Sequence, residues 1–396
     1  MTRRAAGILI LAAAGLAGAT AGTVRGAAAA RATAIVRARI DAAGRRDADI
    51  GFYAARVARD PIGAADRARL AALYLQRARE TGDFADYGRA EALARRSLAL
   101  RVAHNGQAYV LLASALLAQH RFTEALDVAR ALDAHDPGVP RHRALLAEVE
   151  LELGRYDAVG PLFESLWPAR HELAVAPRLA RWAEIRGDTA LARRLLDAAL
   201  AAAHQRRDLP AEQLAWFYLR VGDFALRYGR LETADYALQR GLAVFPGDYR
   251  LLGARARLAV SRLRWRDAIA YGEQAIARVP DPATFGVISD AYAALGDSAS
   301  AAEYARAMEV AVLGQPGQWH RAWSLFLLDH HRRVPDVLAK VREELRTRRD
   351  VYGYDLLAWA LHQAGRDTEA RAAMRQALAW GTEDPQLLRH AAAIGR

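Results

Sequence analysis

The chain has 396 residues, a formal net charge of +11 and no cysteine, and is 53% hydrophobic and 26% charged. Without cysteine, disulfides, thiolate metal sites and cysteine nucleophiles are excluded together, and the apolar fraction is enough to bury a large core. Nearly all the positive charge is arginine, Lys340 being the only lysine; such basicity points to acidic partners, nucleic acid or anionic membrane. An arginine- and alanine-rich, asparagine-poor composition also matches the coding bias of a GC-rich bacterial genome. That bias explains Arg in place of Lys but not the excess of positive over negative charge.

Arg3 and Arg4 precede an uncharged run, Ala5 to Val24, whose most apolar part is Ile8-Leu9-Ile10-Leu11 and which ends in small residues including Ala19-Thr20-Ala21. This is the order of a secretory signal with an Ala-x-Ala cleavage site, so residues 1–21 are expected to be a signal peptide. The rival expectation is an uncleaved anchor giving membrane association, since about 20 residues can cross a bilayer. Either way the bulk of the chain is expected to be exported, periplasmic or extracellular, which argues against nucleic acid as a partner despite the charge.

Residues 22–64 read as N-terminal helices capping the rest of the chain: an Ala-rich stretch, Thr23 to Ala43, then "DADIGFYAARVARDP" (47–61), a lone helix ending in Asp-Pro. From residue 65 to 396 the chain repeats itself. "ALLAEVELELGRYDAVGPLFESL" (144–166), "FYLRVGDFALRYGRLETADYALQRGL" (217–242) and "YDLLAWALHQAGRDTEARAAMRQAL" (354–378) share one order of helix, Gly-Arg or Gly-Arg-Asp corner, and helix. Self-similarity of this kind signals a repeat array, in which each unit needs only its neighbours. No stretch alternates apolar and polar residues long enough to make a strand, so the expected class is all-α.

Setting the register from the corner Gly and the small residue five positions later gives unit starts at Gly106, Pro140, Leu173, Ala215, Tyr249, Pro282 and Val351, close to 34 residues apart. An excess around "HQRRDLPAEQ" widens the step from Leu173 to Ala215. A degenerate unit near His320, "WHRAWSLFLLDHHRRVPDVLAKVREEL", has Arg-Arg-Val-Pro where the Gly corner belongs. Position 8 played no part in choosing this register, yet its occupants are Ala113, Ala147, Ala180, Gly222, Ala256, Ser289 and Ala358, all small. A small residue there lets the two helices of a unit approach closely. An N-terminal unit spans 65–100, and "DPQLLRHAAAIGR" begins a last unit that stops after one helix, giving about nine units and a C-terminal capping helix.

Chemistry-bearing motifs are sparse. "HELAV" at 171 opens like a zinc-protease helix, but Val175 stands where the second His is required. No Gly-rich phosphate loop and no Gly-x-Ser-x-Gly elbow occurs. His331 and His362 both fall at position 12 of adjacent units, which would put two imidazoles on one face about 10 Å apart; with no third ligand this is a weak zinc site. No catalytic residue, metal ligand or cofactor is assigned, and an enzyme or metal-binding protein using the His331/His362 region stands as the alternative.

The pattern resembles the tetratricopeptide repeat family, a helix-turn-helix with small residues at positions 8, 20 and 27, an aromatic near 17 and Pro at 32. Phe122, Tyr156 and Trp265 occupy position 17, Ala125, Ala192, Ala234, Ala268, Ala301 and Ala370 occupy position 20, and Pro137, Pro246 and Pro280 occupy position 32. Val159 at position 20 and Leu263 in place of the corner Gly depart from it. The resemblance implies a right-handed α-solenoid whose concave groove, lined by the first helix of each unit, holds a protein or peptide partner. On that register the groove carries Arg178, Arg181, Trp216, Arg220, Arg227, Arg250, Arg257, Tyr352 and Trp359. Of these, Arg178, Arg181, Arg220 and Arg257 are expected to form a continuous positive stripe for an acidic segment. The carboxylate clamp of chaperone-binding members, built on Asn and Lys, is missing: the only asparagine is Asn105, outside the groove. The resulting expectation is a non-enzymatic interaction scaffold of the bacterial cell envelope, with a self-associating structural array as a further alternative.

Overall fold

The computed structural model describes residues 42–314 and 321–395; the signal or anchor expected at 1–21 lies outside them. The chain divides into two compact units, 1–52 and 53–396. Of the first, only the opening turns of a helix over 42–59 (α1) are described.

The second unit is helical throughout, with no strand among its described residues. After α1 come α2 (Ala64–Thr81), α3 (Ala85–Leu100), α4 (Gly106–Ala118), α5 (Phe122–His135), α6 (Pro140–Glu152), α7 (Tyr156–Leu166), a short 3-10 turn (Trp167–Ala169), α8 (Ala176–Ile185), α9 (Thr189–Gln205) and α10 (Ala211–Arg227). They continue with α11 (Leu231–Val244), α12 (Tyr249–Ser261), α13 (Trp265–Ile276), α14 (Pro282–Ala294), α15 (Ser298–Leu313), α16 (Arg321–Asp329), α17 (Val334–Glu344), α18 (Val351–Gln363), α19 (Asp367–Leu378) and α20 (Pro385–Ile394). From α2 on, consecutive helices pack as antiparallel pairs and each pair packs on the next. This is an all-α, tetratricopeptide-type solenoid.

Local chemistry explains the punctuation. Several helices that open units start on an Asp whose carboxylate accepts from the first free amides, as Asp248, Asp281, Asp350 and Asp384 do for α12, α14, α18 and α20, or with Pro in the first turn, where its missing N–H costs nothing. Five starts, Gly106, Pro140, Tyr249, Pro282 and Val351, coincide with those read from the sequence. Helix α8 begins at Ala176, delayed by the 3-10 turn, and α10 begins early, at Ala211, absorbing the inserted residues as an extra turn. Every position-8 residue is buried, and a Cβ on Gly222 would stand 2.6 Å from Leu238 Cδ2.

The corners at Gly154, Gly187, Gly229, Gly296 and Gly365 have φ between 71 and 82°, the left-handed region that glycine enters freely. Leu263 takes the same role at φ 57° with its side chain 70% exposed. A β-carbon in that conformation costs about 1 kcal/mol or more, and little burial is at stake. Leu263→Gly is therefore expected to raise stability by about 1 kcal/mol, read as a higher thermal midpoint; an unchanged or lower midpoint would contradict the strain.

The solenoid is wound so tightly that its second turn touches its first. Gly82, Gly154 and Gly187, three corners, meet Val279, Arg349 and Gly381, three inter-unit loops, offsets of 197, 195 and 194 residues, or about six units of the usual length. Along this seam Arg349 N–H donates to the Leu153 carbonyl (3.0 Å), Val351 N–H to the Tyr156 hydroxyl (3.0 Å), and Arg348 pairs with Glu152 (2.7 Å). Trp380 lies edge-on to Tyr156 (5.3 Å) and beside Trp182 (5.8 Å). One hydrophobic core accordingly joins residues of α6–α11 with residues of α15–α20.

Candidate partner-binding cavity

On the inner face lies a half-open cavity of about 760 Å³ among α2, α6, α7, α8, α10 and α12, with Arg178, Arg181, Trp216, Arg220 and Arg250 on its wall. Leu151, Phe163, Pro177 and Phe217 form apolar wall between the charges. Trp216 packs edge-to-face on Phe217 at 5.0 Å. Arg227 and Tyr352 continue the inner face beyond the cavity: Arg227 bonds Glu184 (2.7 Å) and faces Asp384 (3.7 Å). Burial and the neighbouring Asp384 and Glu184 push the Tyr352 hydroxyl up to about 12, against the pull of Arg227 and Arg181. Trp359 stands apart, donating to Asp329 (2.9 Å) and stacked on His390 at 4.4 Å.

The continuous positive stripe is not what forms. Arg178 bonds Glu148 (2.6 Å), Arg181 pairs with Glu152 (2.5 Å), Arg257 bonds Asp223 (2.8 Å), and Arg250 bonds Asp248 (2.7 Å) and Glu212 (3.1 Å). Partial desolvation favours the pairing at Arg250 and Arg178, whose side chains are 19% and 26% exposed. Arg220 differs. Its nearest carboxylate, Glu184, is 3.9 Å away and gives its short bond to Arg227. Burial and the adjacent Arg181 and Arg227 lower the Arg220 pKa, opposed by Glu184 and Asp223.

Glu148, Glu212, Arg79 and Phe217 on the cavity wall, and Glu152 beside it, are absent from the inner-face residues read from the sequence. A signal for three of the ion pairs exists in the sequence. Glu148 and Glu152 lie 30 and 29 residues before Arg178 and Arg181, and Asp223 lies 34 before Arg257, one unit back on the same face.

His331 is not on the inner face. Helix α16 ends at Asp329, and His331 is an exposed corner residue at φ 51°, because the degenerate unit makes its turn without glycine. His362 bonds Asp367 (2.9 Å), and among the described residues no group of three His, Cys, Asp or Glu is placed to hold a metal ion. Among them, too, no helix is long and apolar enough to cross a membrane.

No protein-family model and no curated protein matches the chain. Among solved structures it is similar to the Cut9–Hcn1 hetero-tetramer of the APC/C, at 15% identity and TM-score 0.49 over 82% of this chain and 55% of that one, so it spans about half of that chain's length. It is also similar to PilW, a type IV pilus biogenesis factor, at 18% identity and TM-score 0.43 over 57% of this chain and 99% of that one. Yeast Tom70 matches at 11% identity and TM-score 0.37 over 89% and 92%. With every score below 0.5, the tetratricopeptide-type description rests on the chain's own helix pairs and repeat register.

Proposed function

We propose that the protein is a non-enzymatic interaction scaffold of the bacterial cell envelope that holds a segment of a partner protein inside its superhelix. The cavity on the inner face carries this reading. It combines aromatic and aliphatic wall with fixed guanidiniums, the residue types that dominate binding hot spots, and five of the nine residues selected from the repeat register meet there. Guanidiniums held in this way position and orient a bound chain.

The two parts of the proposal are tested separately. A photo-crosslinking phenylalanine analogue at Trp216 is expected to capture a protein partner in an envelope extract, whereas the same group at Tyr236, 65% exposed on α11, captures none. Equal capture at both, or capture only at Tyr236, would move binding off the inner face. For export, a cut after Ala21 gives an intact mass for a chain beginning at Gly22. A full-length chain in the membrane fraction would mean an anchor, and a full-length soluble chain would remove export.

A further inference from the structure

Charge matching inside the cavity goes a step further and rests on that reading of the inner face. Six arginines line the cavity. Five hold a carboxylate within 3.4 Å: Arg79 holds Glu212, Arg178 holds Glu148, Arg181 holds Glu152, Arg206 holds Asp208 and Arg250 holds Asp248. The sixth, Arg220, makes no hydrogen bond within the range of such contacts; its only carboxylate, Glu184, is 3.9 Å away and is shared with Arg227. Its side chain is 24% exposed, so it reaches the water of the cavity while protein surrounds the rest of it. Phe217 and Trp216 lie within one turn of it on α10.

We propose that Arg220 anchors one carboxylate of a bound peptide, an Asp or Glu side chain flanked by an apolar residue that packs on Trp216 and Phe217. A planar guanidinium with its fork open makes two parallel bonds to a carboxylate, which is stronger and more directional than an ammonium contact. The unspent capacity is about one charge. A monoanion therefore completes the set, whereas a phosphate dianion or a nucleic acid backbone would face Glu148, Glu152 and Glu184 with nothing left to neutralise it. Partial burial of Arg220 strengthens the contact for the same reason that it lowers the pKa of the free cation.

The test uses the full chain and a fluorescent peptide of alternating leucine and glutamate, its counterpart with glutamine, and a third with phosphoserine in place of glutamate, at low salt. The glutamate peptide is expected to bind at least about tenfold more tightly than the glutamine peptide and more tightly than the phosphoserine peptide. Arg220→Met and Arg220→Gln should erase the preference for glutamate. Neither strands a carboxylate, since Glu184 keeps its bond to Arg227, and circular dichroism checks the fold. Arg264→Met, which removes an exposed arginine at the start of α13 outside the cavity wall, should leave the preference intact. Equal binding of the glutamate and glutamine peptides, including no binding of either, overturns the anchor, as does a preference that survives in both Arg220 variants or a tighter phosphoserine peptide. Crosslinking from Trp216 that persists alongside such a failure would leave the scaffold reading standing without the anchor.

Discussion

Gly154→Ala and Gly187→Ala are expected to destabilise the protein by about 2–4 kcal/mol, against about 1 kcal/mol for the same change at Gly229 or Gly365. All four glycines sit at corners with φ between 71 and 75°, so all four share the penalty of a β-carbon in the left-handed region. Only the first pair has a second cost. A Cβ on Gly154 would fall inside the van der Waals radius of the Arg349 carbonyl and the Asp350 nitrogen, and one on Gly187 would meet the Gly381 carbonyl oxygen; at Gly229 and Gly365 nothing lies within 4 Å. These neighbours are backbone and cannot swing aside, and overpacking of that kind typically costs about 1–3 kcal/mol. Thermal midpoints of the four variants, measured side by side, decide the matter. Four equal losses would mean that the seam between turns does not form in solution.

The same contrast explains how one turn of the solenoid closes onto the next. A corner residue with a side chain holds the next turn away; glycine lets it settle onto the backbone, after which the Tyr156 hydroxyl and the Arg348–Glu152 pair can form. Little of this is legible in the sequence. Repeat units are recognisable because their packing is between neighbours, and small residues at position 8 and Asp or Pro at unit starts report contacts a few to about 34 residues apart. The seam joins residues about 195 apart that share no pattern: the glycines that make it are the ones any corner of this kind requires, and Trp380 and Tyr156 read as ordinary packing residues.

The site is half legible for a related reason. Inner-face positions follow from the register, so Arg178, Arg181, Trp216, Arg220 and Arg250 can be placed on one surface. Their sign alone suggests a positive stripe. Pairing each guanidinium with acids one unit back, as Arg178 with Glu148 and Arg257 with Asp223, removes it. Applied to Arg220, the rule points to Glu184, but Arg227, two turns further along α10, takes the same carboxylate at 2.7 Å. The result is one guanidinium without a carboxylate of its own.

Asp350→Ala should cause a loss comparable to the seam glycine changes, about 2–4 kcal/mol, because it removes a buried carboxylate shared by Arg321 and Arg348, leaving Arg321 only Glu344 at 3.2 Å, and unbonds two capping amides. Asp350 is 3% exposed; it accepts from Arg321 (2.7 and 2.8 Å), lies 3.1 Å from Arg348 and caps α18 through the Tyr352 and Gly353 amides. It therefore holds together the loop that makes the seam with Leu153 and Tyr156. Asp248→Ala is the control. Its cap on α12 is of the same type, but it serves one arginine, Arg250, which keeps Glu212, so the loss should stay near the 1–2 kcal/mol of a cap and a shared ion pair. Burial alone would raise the Asp350 carboxyl; Arg321, Arg348 and the hydrogen bonds from Arg321 and Gly353 outweigh it and hold the pKa below the usual range. A depressed folded pKa gives stability that is fully present above the unfolded value of about 3.9 and is lost as pH falls through the folded one. The gap in thermal midpoint between wild type and Asp350→Ala should accordingly be constant from neutral pH to about 5 and close as the pH drops further. Asp350→Asn keeps an acceptor for the two capping amides but no charge. If it melts with wild type, the capping bonds and not the ion pairs hold the seam loop, and the ionic account of Asp350 is wrong.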